Sequence, residues 1–286
     1  DELIYTSVPE GLATGSRGYC TVAQTPNIRK SLVGKLESLC NYKHVFAPGD
    51  PNEQLNPINF QFVRFRDAGK AKYVISRIGN AGFDYTQRTN FLAHNIALDR
   101  ASLPKAGPVW FMNQYGSFVT QWDENRPPEY LAERQIDGDA QIAPAICEYW
   151  KSVTGDSGYG GWLAENLLDQ KIPEVVIAYN LNSNILKLLE ETFKLIPEAS
   201  RWKCTFSTYS DSANAAYDCK LRCVLVGSPA ALKASQSTKI AFLDLSKPFE
   251  LRASTVVDLA RTGIQQSTPT IEPESQTLVT EPVSEP

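Results

Sequence analysis

Histidine is scarce: the 286 residues contain two, His44 and His94. A serine or cysteine nucleophile needs a base within hydrogen-bond reach; His94 paired with Cys20, Cys147 or Ser207 is the arrangement these imidazoles offer, and no G-x-S-x-G elbow or cysteine-protease signature accompanies it. Long apolar runs are missing too, since none approaches the roughly 20 residues that span a bilayer. The opening "DELIYTSVPEG" has no charged-then-apolar layout of a secretory leader. Excess positive charge is also lacking. The formal net charge is -4, and the stretch from 265 to 286 carries Glu272, Glu274, Glu281 and Glu285 without a base, which leaves the body near neutrality. That excludes the broad basic field that collects nucleic-acid phosphates. Repeats at solenoid or propeller periods are absent as well.

What is present suits a packed core. Hydrophobic residues make up 42% of the chain, with five Trp, twelve Phe and twelve Tyr, enough apolar surface to offset the entropy of folding. The six cysteines (Cys20, Cys40, Cys147, Cys204, Cys219, Cys223) are scattered through segments such as "LESLCNY" and "WKCTF". Buried free thiols in a reducing cytoplasm are expected. Cys219 and Cys223 lack the second pair of ligands that a structural zinc site needs, so no metal or cofactor is called for.

The pattern predicts a mixed α and β fold with a hairpin-rich antiparallel first half and alternating helices and strands in the second. "EGLATGSRGYCTVAQTP" reads as a turn, then a strand, then a helix over 26–42 capped by Thr25 with Pro26 at its first position. "INFQFVRFRDAGKAKYVISRIG" predicts two strands joined at "DAGK", and "VWFMNQYGSFVTQW" a second hairpin about Tyr115 and Gly116. Short helices are expected in "APAICEYWKSVTG" and "GWLAENLLDQ", a buried strand in "EVVIAYN", and the strongest helix in "SNILKLLEETFKLIP", capped by Asn182 or Ser183. Three further strands are expected in "WKCTFSTYS", "KLRCVLVG" and "KIAFLDL". Residues 1–250 form the expected globular body, with a sub-boundary near 105–140. Residues 251–286 read as a flexible acidic Pro/Glu/Thr/Ser linker in a chain that continues further.

Chemistry concentrates in "DYTQRTNFLAH", where Asp84, Tyr85, Arg88, Asn90 and His94 fall within eleven positions. As a strand, this stretch places His94 beside Leu92, Ile96 and Leu98, and as a helix beside Phe91 and Leu98, in a core either way; alternatively Arg88 or Asp84 orients His94 or an anionic ligand. A second candidate is the polar face of "RWKCTFSTY". Thr205, Ser207 and Tyr209 would face outward, opposite Trp202, Cys204 and Phe206. "TGDSGYGGW" lacks the Lys-Ser/Thr ending of a phosphate loop and reads as a link between helices.

Taken in order, "YTSVPEGLATGSRGYCTVAQT", "LVGKLESLCNY", "QRTNFLAHNIALD", "GDSGYGGWLAENLL", "LKLLEETFKLIPEASRWKCTFSTY" and "CKLRCVLVGSP" resemble the N-terminal domain of bacterial GTPase-associated proteins, components of GTPase-centred conflict systems. The family pattern Gly-Arg-x-Gly-Asn before Ala-His is matched at Arg88, Asn90, Ala93 and His94, whereas Gln87 and Thr89 stand where glycines are expected. The resemblance implies a non-enzymatic adaptor or regulatory module that partners a small GTPase or another protein in the cytoplasm. It would use the face around Arg88 and His94 and the polar strand face. The residues alone leave open a hydrolase or transferase with His94 as general base, and a binder of peptides or small ligands.

Overall fold

The "DAGK" sequence reverses the chain tightly. Ala68 (φ 45°) and Gly69 (φ 81°) both occupy the left-handed region, the geometry of a two-residue turn whose twist matches its flanking strands. Pairing then runs from Asp67 opposite Lys70 back to Asn59 opposite Ile78.

The computed structural model describes residues 1–114, 118–136, 138–211 and 219–264. The chain enters as β1 (Glu2–Val8), returns as β2 (Gly18–Gln24) and forms helix α1 (Lys30–Ser38). The antiparallel strands β3 (Asn59–Asp67), β4 (Lys70–Phe83) and β5 (Thr89–Asp99) follow, then α2 (Pro108–Gln114) and the short β6 (Glu129–Tyr130). The second half contains α3 (Glu148–Thr154), α4 (Gly158–Leu168), β7 (Glu174–Tyr179), α5 (Ile185–Leu195), α6 (Glu198–Arg201), β8 (Phe206–Ser207), β9 (Leu221–Leu225), α7 (Pro229–Ser235), β10 (Ile240–Asp244) and α8 (Thr255–Thr262). All ten strands join one sheet in the order β10-β7-β9-β8-β3-β4-β5-β1-β2-β6. Strands β7 to β10 are parallel and carry the helices between them, as crossover connections require. The antiparallel half meets them where Gln61 and Phe62 of β3 pair with Ser207 and Phe206 of β8.

Helix α1 covers one face of the antiparallel half, its Leu32 and Leu36, with Leu39 just beyond, packing on Leu3, Val63, Val74 and Ala97. Buried Asp67 anchors that helix through Arg29 (2.9 Å) and Lys35 (3.2 Å). Phe62, Ile75 and Ile96 belong to the largest core, shared with α2, α3, α4, α5 and α8. Helix α5 contributes Leu188, Leu189 and Phe193 to it, each fully buried side chain adding about 1.5–3 kcal/mol.

Several boundaries differ from the sequence expectation. Helix α1 begins four residues late because Asn27 adopts φ 64°, and the Thr25 hydroxyl accepts the Glu2 N–H (3.1 Å) instead of capping a helix. Asn184 caps α5 by accepting the Lys187 N–H, in place of Asn182 or Ser183. The second hairpin is not formed: 108–114 is helical, with Pro108 at its start and Val109, Phe111 and Met112 buried against the core. Its apolar run carries no strict alternation, so packing decides in favour of the helix. The turn at Tyr115 and Gly116 lies outside the described residues, as does 265–286 of the expected linker. Within that linker's range, 255–262 is a helix, capped by the Ser254 hydroxyl accepting the Val257 N–H (3.1 Å).

Helix α8 lies so close to α4 that a Cβ on Gly161 would stand 2.5 Å from the Val256 carbonyl oxygen and 2.6 Å from the Val257 Cα. Gly161→Ala should therefore lower stability by about 2–3 kcal/mol through overpacking. A chemical-denaturation midpoint unchanged by this substitution would show that α8 does not seat on α4.

Candidate functional site

The stretch 84–94 is the end of a hairpin and the strand that follows it. Asp84 accepts the Arg88 N–H (3.0 Å), the Thr86 N–H (2.8 Å) and the Thr86 hydroxyl (2.6 Å) on one oxygen, and the Ser7 hydroxyl (2.9 Å) on the other. Burial alone would raise this carboxyl, but the Thr86, Arg88 and Ser7 donors outweigh it and lower the group to about 2. Arg88 leans over the turn, with Nε donating to the Thr86 hydroxyl (2.7 Å) and Nη2 3.5 Å from Asp84, while its side chain stays 71% exposed. Tyr85 is half-buried beside it. Asn90 is buried, its side-chain oxygen accepting the Thr6 hydroxyl and the Ser7 N–H (both 3.2 Å). The Asn90 carbonyl faces His44 Nε2 at 2.9 Å. Gln87 adopts φ 64°, the conformation that a glycine would hold without strain.

His94 lies in β5 with 1% of its surface exposed, on the same strand face as Leu92 and Ile96, as alternation requires. Its Nδ1 accepts the Val119 backbone N–H (3.0 Å), so that nitrogen carries no proton. Nε2 therefore carries the hydrogen and donates it to Glu2 Oε2 (3.0 Å). Arg134 grips the same carboxylate, through Nε on Oε1 and through Nη2 on Oε2 (3.1 Å). Burial would push the Glu2 carboxyl up; the hydrogen bonds from His94 and Arg134 overcome this and bring it down to about 2. With both ring nitrogens occupied by structural partners, His94 has no lone pair for a substrate proton. Neither Cys20, Cys147 nor Ser207, the nucleophiles weighed from the sequence, is among its hydrogen-bond partners. Burial raises the thiols of Cys20 and Cys147, the latter to about 12, so neither is a ready thiolate.

The second candidate face is turned inward. Thr205, Ser207 and Tyr209 are all buried. The Thr205 hydroxyl accepts the Lys220 N–H (2.9 Å), the Ser207 hydroxyl donates to Asn59 Oδ1 (2.9 Å), and the Tyr209 hydroxyl donates to the Lys43 carbonyl (2.8 Å). The polar side of that strand meets β3, β9 and the segment after α1 rather than solvent. Tyr209 nevertheless approaches the first candidate, since its ring lies 5.8 Å from Tyr42, which is 5.0 Å from His44.

Sequence reasoning missed Glu2, Arg134 and Arg77. Glu2 and Arg134 reach His94 across sequence separations that no local spacing records, and Arg77 is one more base on an alternating strand. Arg77 lines an open cleft of about 900 Å³ together with Asp84, Asn90, Asn80, Phe83 and Trp122. Among the described residues no group of three or more His, Cys, Asp or Glu side chains is placed to hold a metal ion. No described helix is long and apolar enough to cross a membrane.

Both buried carboxyls predict acid sensitivity with a defined sign. Each titrates near 2 in the fold and near 4 when unfolded, so its contribution is complete above the unfolded value and is lost as pH falls from about 4.5 to 2. With solvent screening the loss should be of order 1–2 kcal/mol per group. Glu2→Gln and Asp84→Asn should each flatten that limb of a stability-versus-pH curve; unaltered limbs would mean that neither carboxyl is held as described. Gln87→Gly should raise stability by about 0.5–1 kcal/mol by relieving the left-handed residue, and a melting temperature that falls instead would contradict a strained turn.

The geometry is that of a braced hairpin end beside a polar cleft. A comparison with curated proteins finds no match. Family models match two consecutive stretches: GTPase-associated protein 1, N-terminal domain type 2, over residues 1–135, and GTPase-associated protein 1, middle domain, over residues 154–247. Together they take in both halves of the sheet, and the chain carries GTPase-associated protein domains.

Proposed function

We propose that this chain is a non-enzymatic adaptor module that engages a small GTPase in the cytoplasm, within a bacterial conflict or defence system, and that residues 1–250 act as one interaction body. The reading is supported above all by the pairing of an N-terminal and a middle domain of a GTPase-associated family in one chain. The occupied imidazole of His94 favours it over a hydrolase or transferase. The contact face that best suits this role is the hairpin end, where Arg88 is exposed and Tyr85 half-buried on a turn that Asp84 holds rigid. An arginine and a tyrosine on a preformed loop are the residue types that dominate interface energetics. Asp84, Asn90 and His94 support that face from below, and Thr205, Ser207 and Tyr209 brace the sheet behind it.

Arg88→Ala combined with Tyr85→Ala should lower stability by no more than about 1 kcal/mol, because Arg88 is exposed and Tyr85 is only half-buried. In affinity capture from native lysate the wild-type chain should retain a GTP-hydrolysing protein, and the double variant should bind that protein at least about thirtyfold more weakly. Capture without any GTPase would remove the reading, and so would turnover of a substrate by the purified chain alone.

A further inference from the structure

One guanidinium nitrogen in the cleft wall is left without a protein acceptor. Nη1 of Arg77 is buried and has no hydrogen-bond partner among the described residues. Strand register sets Arg77 opposite Phe60 on β3 and opposite His94 on β5. Phe60 offers no acceptor, and both nitrogens of His94 are already engaged by Glu2 and Val119. Three of the four acids that line the cleft are likewise engaged elsewhere. Glu53 accepts the Gly49 N–H and the Asn80 amide (both 2.7 Å), Asp84 is filled by its own turn, and Asp123 accepts the Asn125 N–H (2.9 Å). A buried guanidinium nitrogen without an acceptor is destabilising, and folds retain such groups where a ligand completes them.

The walls also narrow the choice of ligand. Glu53, Asp84, Asp123 and Glu124 line the same cleft as Arg77, so the local field opposes a multiply charged anion. A single carboxylate is planar, carries one charge and fits the guanidinium fork. Half-exposed Phe83 and the Trp122 ring add apolar surface for the rest of the molecule.

We propose that this cleft binds a carboxylate, carried by a small organic acid or by an acidic residue of a peptide, with Arg77 as its anchor. The site is independent of the GTPase association. Nuclear magnetic resonance of the Arg77 Nε–H and the Trp122 indole N–H would test it on the intact chain, with acetate, a capped Gly-Asp-Gly peptide and inorganic phosphate as probes. Acetate or the peptide should shift both signals saturably in the millimolar range, with phosphate at least about tenfold weaker. Acetate binding as well as or better than the peptide identifies a free acid; a peptide at least about tenfold tighter identifies a protein segment.

Arg77→Met, which keeps an aliphatic stem, should abolish the Trp122 response while leaving the ligand-free melting temperature equal or higher. Four results would overturn the proposal: silent signals up to about 100 mM carboxylate, phosphate binding as tightly as the carboxylates, a Trp122 response that survives Arg77→Met, or a clear drop in melting temperature showing that the fold itself satisfies Arg77.

Discussion

The Glu2 carboxylate, taken out of water at the start of β1, is the group around which the antiparallel half is organised. It holds the imidazole of β5 and the guanidinium of Arg134 at once. A buried carboxylate is tolerated only when paired and fully hydrogen-bonded, so these three side chains must meet in one arrangement. Through Nδ1 of His94 the same network fixes the Val119 backbone, and with it the segment that crosses the sheet from 118 to 131. Val119, Trp122 and Leu131 then close over Ile4, Val22 and Leu92. One side of the cleft, from Thr120 to Glu124, is thereby positioned by contacts that begin at the second residue of the chain.

A division of labour follows from this arrangement. His94 and Asp84, the two side chains most suggestive of chemistry, are occupied by the protein itself and keep strands and turn in register. What remains available lies at the periphery: Arg88 on the exposed side of the turn, Arg77 in the cleft wall, and the apolar rim at Phe83. This arrangement is the basis of the proposed interaction role. The continuous sheet adds rigidity, because β3 and β8 join the part matched by the N-terminal family domain to the part matched by the middle domain.

Much of the fold was legible wherever local rules decide the outcome. The "DAGK" reversal, the helix at 185–195 and the strands β7, β9 and β10 all follow from turn chemistry and periodicity, whereas periodicity left the stretch through His94 open between strand and helix until pairing with β1 and β4 decided it. Elements settled by distant packing were not. The alternation around Thr205, Ser207 and Tyr209 suggested a solvent face, but pairing with β3 and the chain after α1 turned it inward. The apolar run at 108–114 resembled a strand until the core of α5 made a helix the better fit. The candidate stretch 84–94 was found by its density of polar residues, whereas its electrostatic partners Glu2 and Arg134 lie 92 and 132 positions apart from theirs, beyond any pattern confined to neighbouring residues.

The most direct measurement is the tautomer of His94, read from the ring nitrogen shifts and their long-range proton couplings in labelled protein at mildly alkaline pH. The account predicts a single neutral ring protonated at Nε2, with Nδ1 accepting the Val119 N–H. A ring protonated at Nδ1, or a rapidly exchanging mixture of the two tautomers as in free imidazole, would contradict it: His94 would then have a nitrogen to offer, and the hairpin end would again be a candidate for catalysis.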